Sequence, residues 1–354
     1  MKEKIIFDCE RMKHPHTGLY YYCYYLGKNL LQYSTEEREI CYYIPSASNG
    51  VFGKDSCYHR QHSIHKTVLP LPRNTRLWHS TYQGTNYLPN KKNLKIVLTV
   101  HDLNFMYDQS KRDLKKNRYL QRLIDKVERA DAIVAISRYV LEDLGQYVNL
   151  DNKETSVIYN GCTIEDLAEL SAPVATPSKP FLFTIGTIVD KKNFHVLPAL
   201  LRNSDLQLII AGITQNEDYK QRIIDEAKRF NVEDRVVFAG AINENDRQWY
   251  YKNCEAFVFP SISEGFGLPV IEAMHFGKQV LLSKATSLPE VGGDLAYYFE
   301  SFDPDAMSKT LETALNHTEY NSEDIAAWSK KFDWKIAAGQ YFKLYESLLT
   351  GNKV

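Results

Sequence analysis

Short apolar runs alternate with amphipathic segments along the whole chain. The runs are rich in Ile, Val and Phe and mostly apolar on both faces, the pattern of a strand buried on both sides of a parallel sheet. They predict strands at residues 4–9, 38–44, 76–79, 94–100, 132–136 and 156–159, and at 181–186, 206–211, 235–239, 256–259, 279–283 and 296–299. Helical patterns fall between many of them, at 117–130, 219–230, 247–253 and 307–316. This alternation predicts an α/β fold with doubly wound parallel sheets.

A proline-containing segment separates two periodic regions. It covers residues 169–180 (ELSAPVATPSKP), where three prolines and several small residues suit a domain boundary. The 354 residues are also enough for two domains of ordinary size. The sequence therefore predicts two Rossmann-like domains, at residues 1–170 and 171–333, followed by a helix at 334–354 whose packing partner the sequence does not give.

The composition is that of a globular chain, with 44% hydrophobic and 25% charged residues. A formal net charge of -1 argues against a dedicated nucleic-acid-binding protein, which normally carries a strong basic excess. We find neither a signal peptide nor an apolar stretch long enough to span a bilayer, so we expect a cytoplasmic protein. Six cysteines without a CxxC pair predict buried thiols in a reducing compartment. They are Cys9, Cys23, Cys41, Cys57, Cys162 and Cys254.

The most informative chemistry lies at residues 254–277 (CEAFVFPSISEGFGLPVIEAMHFG). A predicted strand ends there in a glycine-containing loop. A helix is predicted to start near Leu268, because Pro269 suits its first turn. Exposed N–H groups around Gly265, Gly267 and Leu268 would form a surface that binds anions and hydroxyls at the start of this helix.

Two acids flank this turn. Glu264 in the loop can accept hydrogen bonds from sugar hydroxyls, and Glu272 in the helix can accept two from a ribose diol. The alternative is that Glu272 is an ordinary acid near a helix start and that the glycines only make a turn. For an isolated GxG that alternative is the commoner one.

The nine residues EGFGLPVIE (264–272) closely resemble the paired-glutamate signature of the retaining glycosyltransferases of family 4, which have the GT-B architecture. The resemblance implies a contact between Glu264 and the donor sugar, and a contact between Glu272 and the ribose. It also implies donor contacts from residues between the two acids, namely Gly265, Phe266, Gly267 and Leu268.

A second segment, residues 186–193 (GTIVDKKN), resembles the phosphate-contacting segment of the same family and begins at Gly186 after a predicted strand. Lys192 falls at the basic position that pairs with the diphosphate, and Lys191 at the basic neighbour. Thr187 stands where many members have arginine, which leaves more of that task to Lys192. Without the resemblance, the two lysines would be interpreted as a solvated charge pair on a loop.

Two further glycine segments match the family pattern. The resemblance places the nucleobase against the backbone near Gly240, Ala241 and Ile242, which could equally be ordinary turn residues. In the first half, residues 16–19 (HTGL) resemble the family's glycine loop, and Gly18 would approach the donor diphosphate and the acceptor.

His101 and Asp102 leave the C-terminal end of a predicted strand, where ligands bind in open α/β sheets. They resemble the family's T-x-H-D segment, whose histidine lies beside the reacting sugar, so His101 is a candidate catalytic residue. Asp102 could fix the imidazole tautomer or cap the next segment. A strand-end histidine taken alone is more often structural. A metal phosphohydrolase would need further ligands, and we find no matching set.

Together these motifs imply a retaining glycosyltransferase that moves a hexose from a nucleoside-diphosphate sugar to a glycan or lipid-linked glycan. The donor would lie in a cleft between an N-terminal acceptor domain and a C-terminal donor domain. Mannose is weakly preferred, with GDP-mannose or a UDP-sugar as the donor. The catalytic residues would be His101, Lys192 and Glu264. We expect neither a metal nor a cofactor, because Lys192, a helix N-terminus and the Gly18 loop would meet the charge of the leaving group.

Several alternatives remain at this point. The chain could be a GT-B nucleotide-sugar epimerase or a non-catalytic sugar-nucleotide-binding protein. Residues 57–65 (CYHRQHSIH) are better interpreted as a polar surface segment than as a metal site. The basic stretch at 111–129 is better interpreted as a solvated helix face than as a lipid contact, although peripheral contact with the inner face of the plasma membrane stays open.

Overall fold

The computed structural model describes residues 2–15, 17–108, 111–316 and 320–351. The chain forms two compact units, the first made of Met1–Gly161 and Phe332–Val354 and the second of Cys162–Lys331. The strands are β1 Glu3–Asp8, β2 Arg38–Ile44, β3 Cys57–Arg60, β4 Thr75–Ser80, β5 Lys95–Val100, β6 Ala132–Ala135, β7 Glu154–Val157, β8 Phe181–Ile185, β9 Gln207–Ala211, β10 Val236–Gly240, β11 Ala256–Phe259, β12 Val280–Ser283 and β13 Tyr297–Phe299. The α-helices are α1 Gly18–Leu30, α2 Asn104–Tyr107, α3 Asp113–Arg129, α4 Arg138–Gly145, α5 Glu217–Arg229, α6 Glu244–Asn253, α7 Leu268–His275, α8 Leu288–Gly292, α9 Pro304–Asn316, α10 Ser322–Ser329 and α11 Trp334–Thr350.

The two sheets are wound in the same way. The first has the order β3-β2-β1-β4-β5-β6-β7 and the second β10-β9-β8-β11-β12-β13, with parallel pairing throughout the described strands. The winding reverses between β1 and β4 in the first sheet and between β8 and β11 in the second. This is the Rossmann pattern, in which ligands bind beyond the carboxyl ends of the strands at the reversal. The prediction of an α/β fold with two Rossmann-like sheets is confirmed.

Burial on both faces explains why most strands could be found from their apolar runs. Every residue of β6, β11 and β12 is buried. Each predicted strand forms, with its ends shifted by at most two residues.

The segment at residues 57–65, expected to be only polar surface, contains the edge strand β3, which pairs with β2. Its polar sequence hid it, because an edge strand has one side without a neighbouring strand and can carry polar residues. Two histidines of the segment pack against neighbouring aromatic or imidazole rings. His65 Nδ1 lies 3.0 Å from the Tyr43 hydroxyl, and the rings of His59 and His65 stack at 5.7 Å.

Strand pairing also overturns part of the cysteine prediction. Cys41 and Cys57 lie in register on β2 and β3, with their Cα atoms 4.6 Å apart, and form a disulfide. Six free thiols were therefore the wrong expectation for this pair, since only the sheet register brings the two residues together. Cys9, Cys23, Cys162 and Cys254 are free thiols.

The boundary between the units lies at Gly161, earlier than the predicted position at residue 170. The following segment is tied to helix α6 of the second unit through backbone carbonyls. Gln248 Nε2 donates to the Glu165 carbonyl and Asn245 Nδ2 to the Ser171 carbonyl, both at 2.9 Å. The predicted linker is therefore packed along the second unit, which an irregular sequence without periodicity does not reveal.

The C-terminal helix α11, predicted without a packing partner, belongs to the first unit. The Tyr22 hydroxyl of α1 donates to the Tyr341 hydroxyl at 2.8 Å, and the Tyr345 hydroxyl lies 2.6 Å from His79 Nδ1. These buried contacts join the two ends of the chain in one core.

Helix α3 buries Leu123 and Val127, while Lys115, Arg118 and Arg122 are exposed, as expected for a solvated basic face. Among the described residues, no helix combines the length and apolarity that crossing a bilayer requires.

Candidate active site

Two loops of the second unit meet at the carboxyl ends of β8 and β11, the adjacent strands between which the winding reverses. The loop after β8 contains a short 3-10 turn at Asp190–Lys192. The N–H of Ile262, in the loop after β11, donates to the Lys191 carbonyl at 2.9 Å, and the Ser261 hydroxyl lies 3.1 Å from the same carbonyl oxygen. The two segments that carry the candidate residues therefore form one surface.

Lys192 and Glu264 form an ion pair on this surface. Lys192 Nζ lies 2.5 Å from Glu264 Oε1, and the Ser261 hydroxyl donates to the same oxygen at 2.6 Å. The side chains are only 11% and 13% exposed, and the ammonium lies 4.8 Å from the centre of the Phe259 ring. Lys192 is therefore not a solvated surface lysine.

The pair keeps its charges. Burial raises the pKa of Glu264, but the positive charges of Lys192 and Lys191 and the hydrogen bonds to the carboxylate outweigh burial. They hold that pKa below its ordinary value. The site thus presents an ionised carboxylate together with two lysine charges. Lys191, which supplies one of these charges, is half-buried.

Close backbone packing explains the glycines beside this pair. A Cβ at Gly212, whose φ is +134°, would lie 2.0 Å from the Gly186 carbonyl oxygen. A Cβ at Gly186 would lie 3.2 Å from Lys192 Cε. Gly186 therefore makes room for the Lys192 side chain, and the neighbouring Thr187 is half-buried.

Helix α7 begins as the sequence predicted. Gly267 precedes it with a φ of +109°, and a Cβ there would lie 2.9 Å from Leu288 Cδ2, so glycine is required. Pro269 lies in the first turn. In this first turn Pro269 has no N–H and the Val270 N–H donates to the Gly267 carbonyl at 2.9 Å, so an anion or hydroxyl at the helix start would meet the N–H of Leu268.

The loop leading into α7 is held in place by hydroxyl groups. The Glu264 N–H donates to Thr286 Oγ1 at 3.0 Å, and the Ser287 hydroxyl lies within hydrogen-bonding distance of the carbonyls of Glu264 (3.1 Å) and Phe266 (2.9 Å). The Phe266 ring is buried, so any contact from this residue to a ligand would come from its backbone. Gly265 lies in the same fixed loop.

Glu272 is buried in α7, and three side chains that the sequence did not single out bind its carboxylate. Thr163 donates to Oε1, Arg247 donates to Oε1 at 3.0 Å, and Tyr251 donates to Oε2 at 2.9 Å. Arg247 lies in α6 two residues before three consecutive aromatic residues, but its partner lies 25 residues away, and no local pattern indicates that pairing.

Gly240 and Ala241 lie at the end of β10 and are exposed. The Gly240 carbonyl accepts a hydrogen bond from the Gly212 N–H at 2.7 Å, which connects this strand end to the glycine beside Lys192. Within the described part of the chain, and apart from its two chain neighbours, no atom lies within 4 Å of where a Cβ at Gly240 would be.

The remaining candidates, Gly18 and His101, lie in the first unit. Gly18 begins α1, whose N-cap Thr17 accepts from the Tyr20 N–H at 3.2 Å. His16, which precedes it in the predicted glycine loop, lies outside the described residues.

His101 follows β5 and is buried. Its Nε2 lies 2.7 Å from the Thr81 carbonyl oxygen, which can only accept, so Nε2 carries the proton and Nδ1 is an acceptor. Burial lowers the pKa of His101 to about 4, although the Thr81 carbonyl opposes the shift, so the imidazole is neutral at pH 7. Asp102 accepts from the Asn104 N–H at 3.0 Å. Of the two roles proposed for Asp102, this contact supports capping, while the Thr81 carbonyl fixes the tautomer.

Two family models of known proteins match the sequence of this chain. Residues 168–330 match the family model described as "Glycosyl transferases group 1", and residues 74–166 match the model described as "Glycosyltransferase Family 4". The first model covers the strand-end loops of the second unit, and the second covers His101.

Relatives match over most of the chain. The O-antigen chain mannosyltransferase B of Escherichia coli is 26% identical over 98% of this chain and 100% of its own length. The serotype-specific mannosyltransferase WbdA of Escherichia coli is 28% identical over 73% of this chain, which spans only 34% of that longer protein.

Solved structures share the fold. Sucrose-phosphate synthase from Thermosynechococcus elongatus superimposes with a TM-score of 0.77 at 20% identity, covering 99% of this chain and 100% of that one. Anabaena HepE in complex with UDP and glucose superimposes with a TM-score of 0.71 at 17% identity, covering 98% of this chain and 100% of that one. Two glycosyltransferase family models thus match successive parts of this chain, the full-length relative is a mannosyltransferase, and the chain has the Rossmann-like units of the GT-B fold.

Proposed function

We propose that this protein is a glycosyltransferase that moves a hexose, with retention of anomeric configuration, from a nucleoside-diphosphate sugar to a glycan or lipid-linked glycan. The Lys192–Glu264 ion pair at the winding reversal of the second sheet carries the proposal. A diphosphate would take the ammonium of Lys192, and a sugar hydroxyl would donate to the carboxylate of Glu264.

The charges of this pair suit the chemistry of the leaving group. Negative charge grows on the diphosphate as the glycosidic bond breaks, and a fixed cation stabilises it more in the transition state than in the ground state. Lys191 adds a second positive charge close to the same carboxylate. The N–H of Leu268, at the start of α7, offers a further hydrogen-bond donor.

Mannose is the sugar we propose, with GDP-mannose as the donor. The support comes from the relatives named above, an O-antigen chain mannosyltransferase and a serotype-specific mannosyltransferase. By that relationship the acceptor would be a growing surface polysaccharide. The HepE structure contains UDP and glucose, so UDP-sugars belong in the same experiment.

The first test is a thermal-shift screen against GDP, UDP and ADP, followed by transfer assays with GDP-mannose and UDP-glucose. A ligand at about 100 times its dissociation constant adds about 2.7 kcal/mol of stability. We expect one diphosphate to raise the Tm and its mannose or glucose conjugate to give an α-linked product by NMR. Absence of any shift would contradict the donor site, and formation of an epimer without acceptor would favour an epimerase instead.

We also propose that transfer is independent of a metal, because lysine side chains supply the positive charge. The measurement is transfer activity after exhaustive EDTA treatment, with and without added Mg²⁺ or Mn²⁺. Activity should survive the chelator. Loss that either ion restores would rule this part of the mechanism out.

A further inference from the structure

The carboxylate of Glu272 is held on both oxygens by side chains of its own unit. Oε1 accepts from the Thr163 hydroxyl and from Arg247 Nη1, and Oε2 accepts from the Tyr251 hydroxyl. Arg247 and Tyr251 lie one turn apart on α6 and therefore reach the same group. Glu272 is 4% exposed, so packing fixes the arrangement.

Arg247 is also fixed from its other side. Its Nη2 lies 2.7 Å from Glu244 Oε2, and its side chain is 11% exposed. Burial lowers the pKa of Arg247, but the charges of Glu272 and Glu244 outweigh burial and raise it. A guanidinium paired on two sides keeps one orientation, in contrast to a lysine that can rotate.

These partners limit what else Glu272 can bind. A carboxylate has about four lone-pair positions, two on each oxygen. Thr163 and Arg247 occupy those of Oε1, and Tyr251 occupies one on Oε2. One position is left, whereas a ribose diol brings two hydroxyls that can donate.

We propose that Glu272 accepts a single ribose hydroxyl, through Oε2, and that Arg247 and Tyr251 are positioning residues that impose this limit. The inference rests on the proposed function, because a nucleoside diphosphate must bind to the second unit. It departs from the sequence-based expectation that Glu272 receives both hydroxyls of the diol.

Calorimetry with deoxy nucleotides tests the limit in the wild-type protein. The probes are the diphosphate that gives the largest Tm shift and its 2′-deoxy and 3′-deoxy forms. We expect one deoxy form to bind about 10- to 100-fold more weakly and the other to bind within about threefold of the parent, because one charged hydrogen bond is lost in the first only. Equal weakening of both forms, or of neither, would overturn the proposal.

Tyr251→Phe is the sharper variant. The tyrosine ring packs against Phe183 and Phe257, with ring centres 5.1 and 5.4 Å away, so phenylalanine keeps the packing and removes only the hydroxyl. A second lone pair of Oε2 then becomes available. In the wild type, removing one of the two ribose hydroxyls should change the affinity by less than about threefold. In Tyr251→Phe, the diphosphate that lacks this hydroxyl should bind about tenfold more weakly than the parent diphosphate.

Tyr250→Phe is the matched control, because its hydroxyl donates to the Ala175 carbonyl and not to Glu272. It should leave the wild-type pattern of deoxy affinities unchanged. An identical pattern in Tyr251→Phe and Tyr250→Phe would overturn the limit assigned to Tyr251.

Arg247 is tested by Arg247→Met and, in case that variant does not fold, by Arg247→Lys. If Glu272 loses its orientation, binding should weaken for the two ligands that still carry the hydroxyl bound by Glu272, namely the parent diphosphate and one of its deoxy forms. The affinity for the deoxy form that lacks this hydroxyl should not change. Donor KM should rise while kcat changes little. Equal weakening of all three ligands would show a purely structural role and overturn the assignment. Failure of the wild type to bind any diphosphate would instead contradict the proposed function.

Discussion

The two units share a winding order but differ in the charge at the carboxyl ends of their strands. In the first unit, burial lowers the pKa of His101 to about 4, so its imidazole is neutral at pH 7, and burial and the charge of Glu10 raise the pKa of Asp8. In the second, Lys192 and Glu264 are an ionised pair. The shared topology determines where a ligand can bind, and the strand-end side chains determine which ligand. Of these two sets of groups, the second is the one equipped to meet an anion.

A similar contrast separates the two acids of the second unit. Glu264 pairs with a lysine from another strand-end loop, and a ligand that supplies an anion and a hydroxyl can replace both halves of that pair. Glu272 is fixed by an arginine and two hydroxyls, and it has one lone-pair position left. The spacing of the two glutamates was visible in the sequence, but the sequence did not show how many hydrogen-bonding positions each carboxylate has left for a ligand.

The largest effect is expected from Lys192→Met. Turnover at saturating donor should fall by about 10³-fold or more, because the cation that meets the departing diphosphate is lost. Lys191→Met is the comparison and should lower turnover less, since Nζ of Lys192 is the group that contacts Glu264. The measurement is steady-state kinetics together with a thermal melt.

The melt matters because Lys192→Met leaves a buried carboxylate without its partner, which is destabilising. Lys192→Met/Glu264→Gln removes that charge and should recover stability without recovering turnover. Wild-type turnover in either variant would contradict the role of Lys192.

His101→Ala is expected to lower turnover by about 10²-fold while leaving nucleoside-diphosphate affinity intact, because the proposed nucleotide contacts lie in the other unit. His79→Gln is a matched control. His79 is a buried histidine of the first unit that contacts Thr99 and Tyr345. A destabilised His101→Ala protein that turns over normally in its folded fraction would show that His101 is only structural.

Much of the fold was predictable because a parallel strand buried on both faces appears in the sequence as a short apolar run. The prediction for β2 and β11 agrees with the structure at both ends. Strand β3 was missed because its polar residues occupy a sheet edge, and the Cys41–Cys57 disulfide was missed for the same reason. The family roles of Glu264 and Lys192 came from the resemblance and stay predictions.

The partners of the site residues could not be predicted in the same way. Lys192 and Glu264 are 72 residues apart, and Arg247 and Glu272 are 25 apart. Which side chains meet across such distances depends on strand order and loop conformation, and neither follows from local pattern. The glycine at 267 is an exception, because a Gly–Leu–Pro sequence at a helix start has a local physical reason.

Glu272→Gln should weaken nucleoside-diphosphate binding by about 10- to 100-fold, since a charged acceptor becomes a neutral one. The amide has nearly the same size as the carboxylate, so the substitution leaves no cavity beside the buried Arg247. Calorimetric titration checks the affinity, and Glu255→Gln, on an exposed acid outside the site, is the control. Unchanged affinity in Glu272→Gln would remove Glu272 from the donor site.

The smallest predicted effect concerns stability and comes from the first unit. Burial lowers the pKa of His79 to about 3 and of His101 to about 4, from an ordinary value of 6.5. Both are neutral in the folded and unfolded chain above pH 6.5. As the pH falls from 6.5 towards 4, the unfolded chain takes up protons that the folded chain refuses. The free energy of unfolding should therefore decrease by up to about 1.4 kcal/mol per pH unit for each histidine.

Urea unfolding between pH 4.5 and 7.5 measures this slope, and comparison with a variant isolates the histidine contribution. The carboxyl of Asp8, with its raised pKa, acts in the opposite direction and is common to both proteins. His79→Gln should therefore show a shallower loss of stability below pH 6.5 than the wild type, whereas His62→Gln, at an exposed position, should follow the wild-type curve. Parallel curves for wild type and His79→Gln would mean that His79 takes up its proton in the folded protein. The contrast drawn between neutral buried histidines in the first unit and an ion pair in the second would then lose part of its basis.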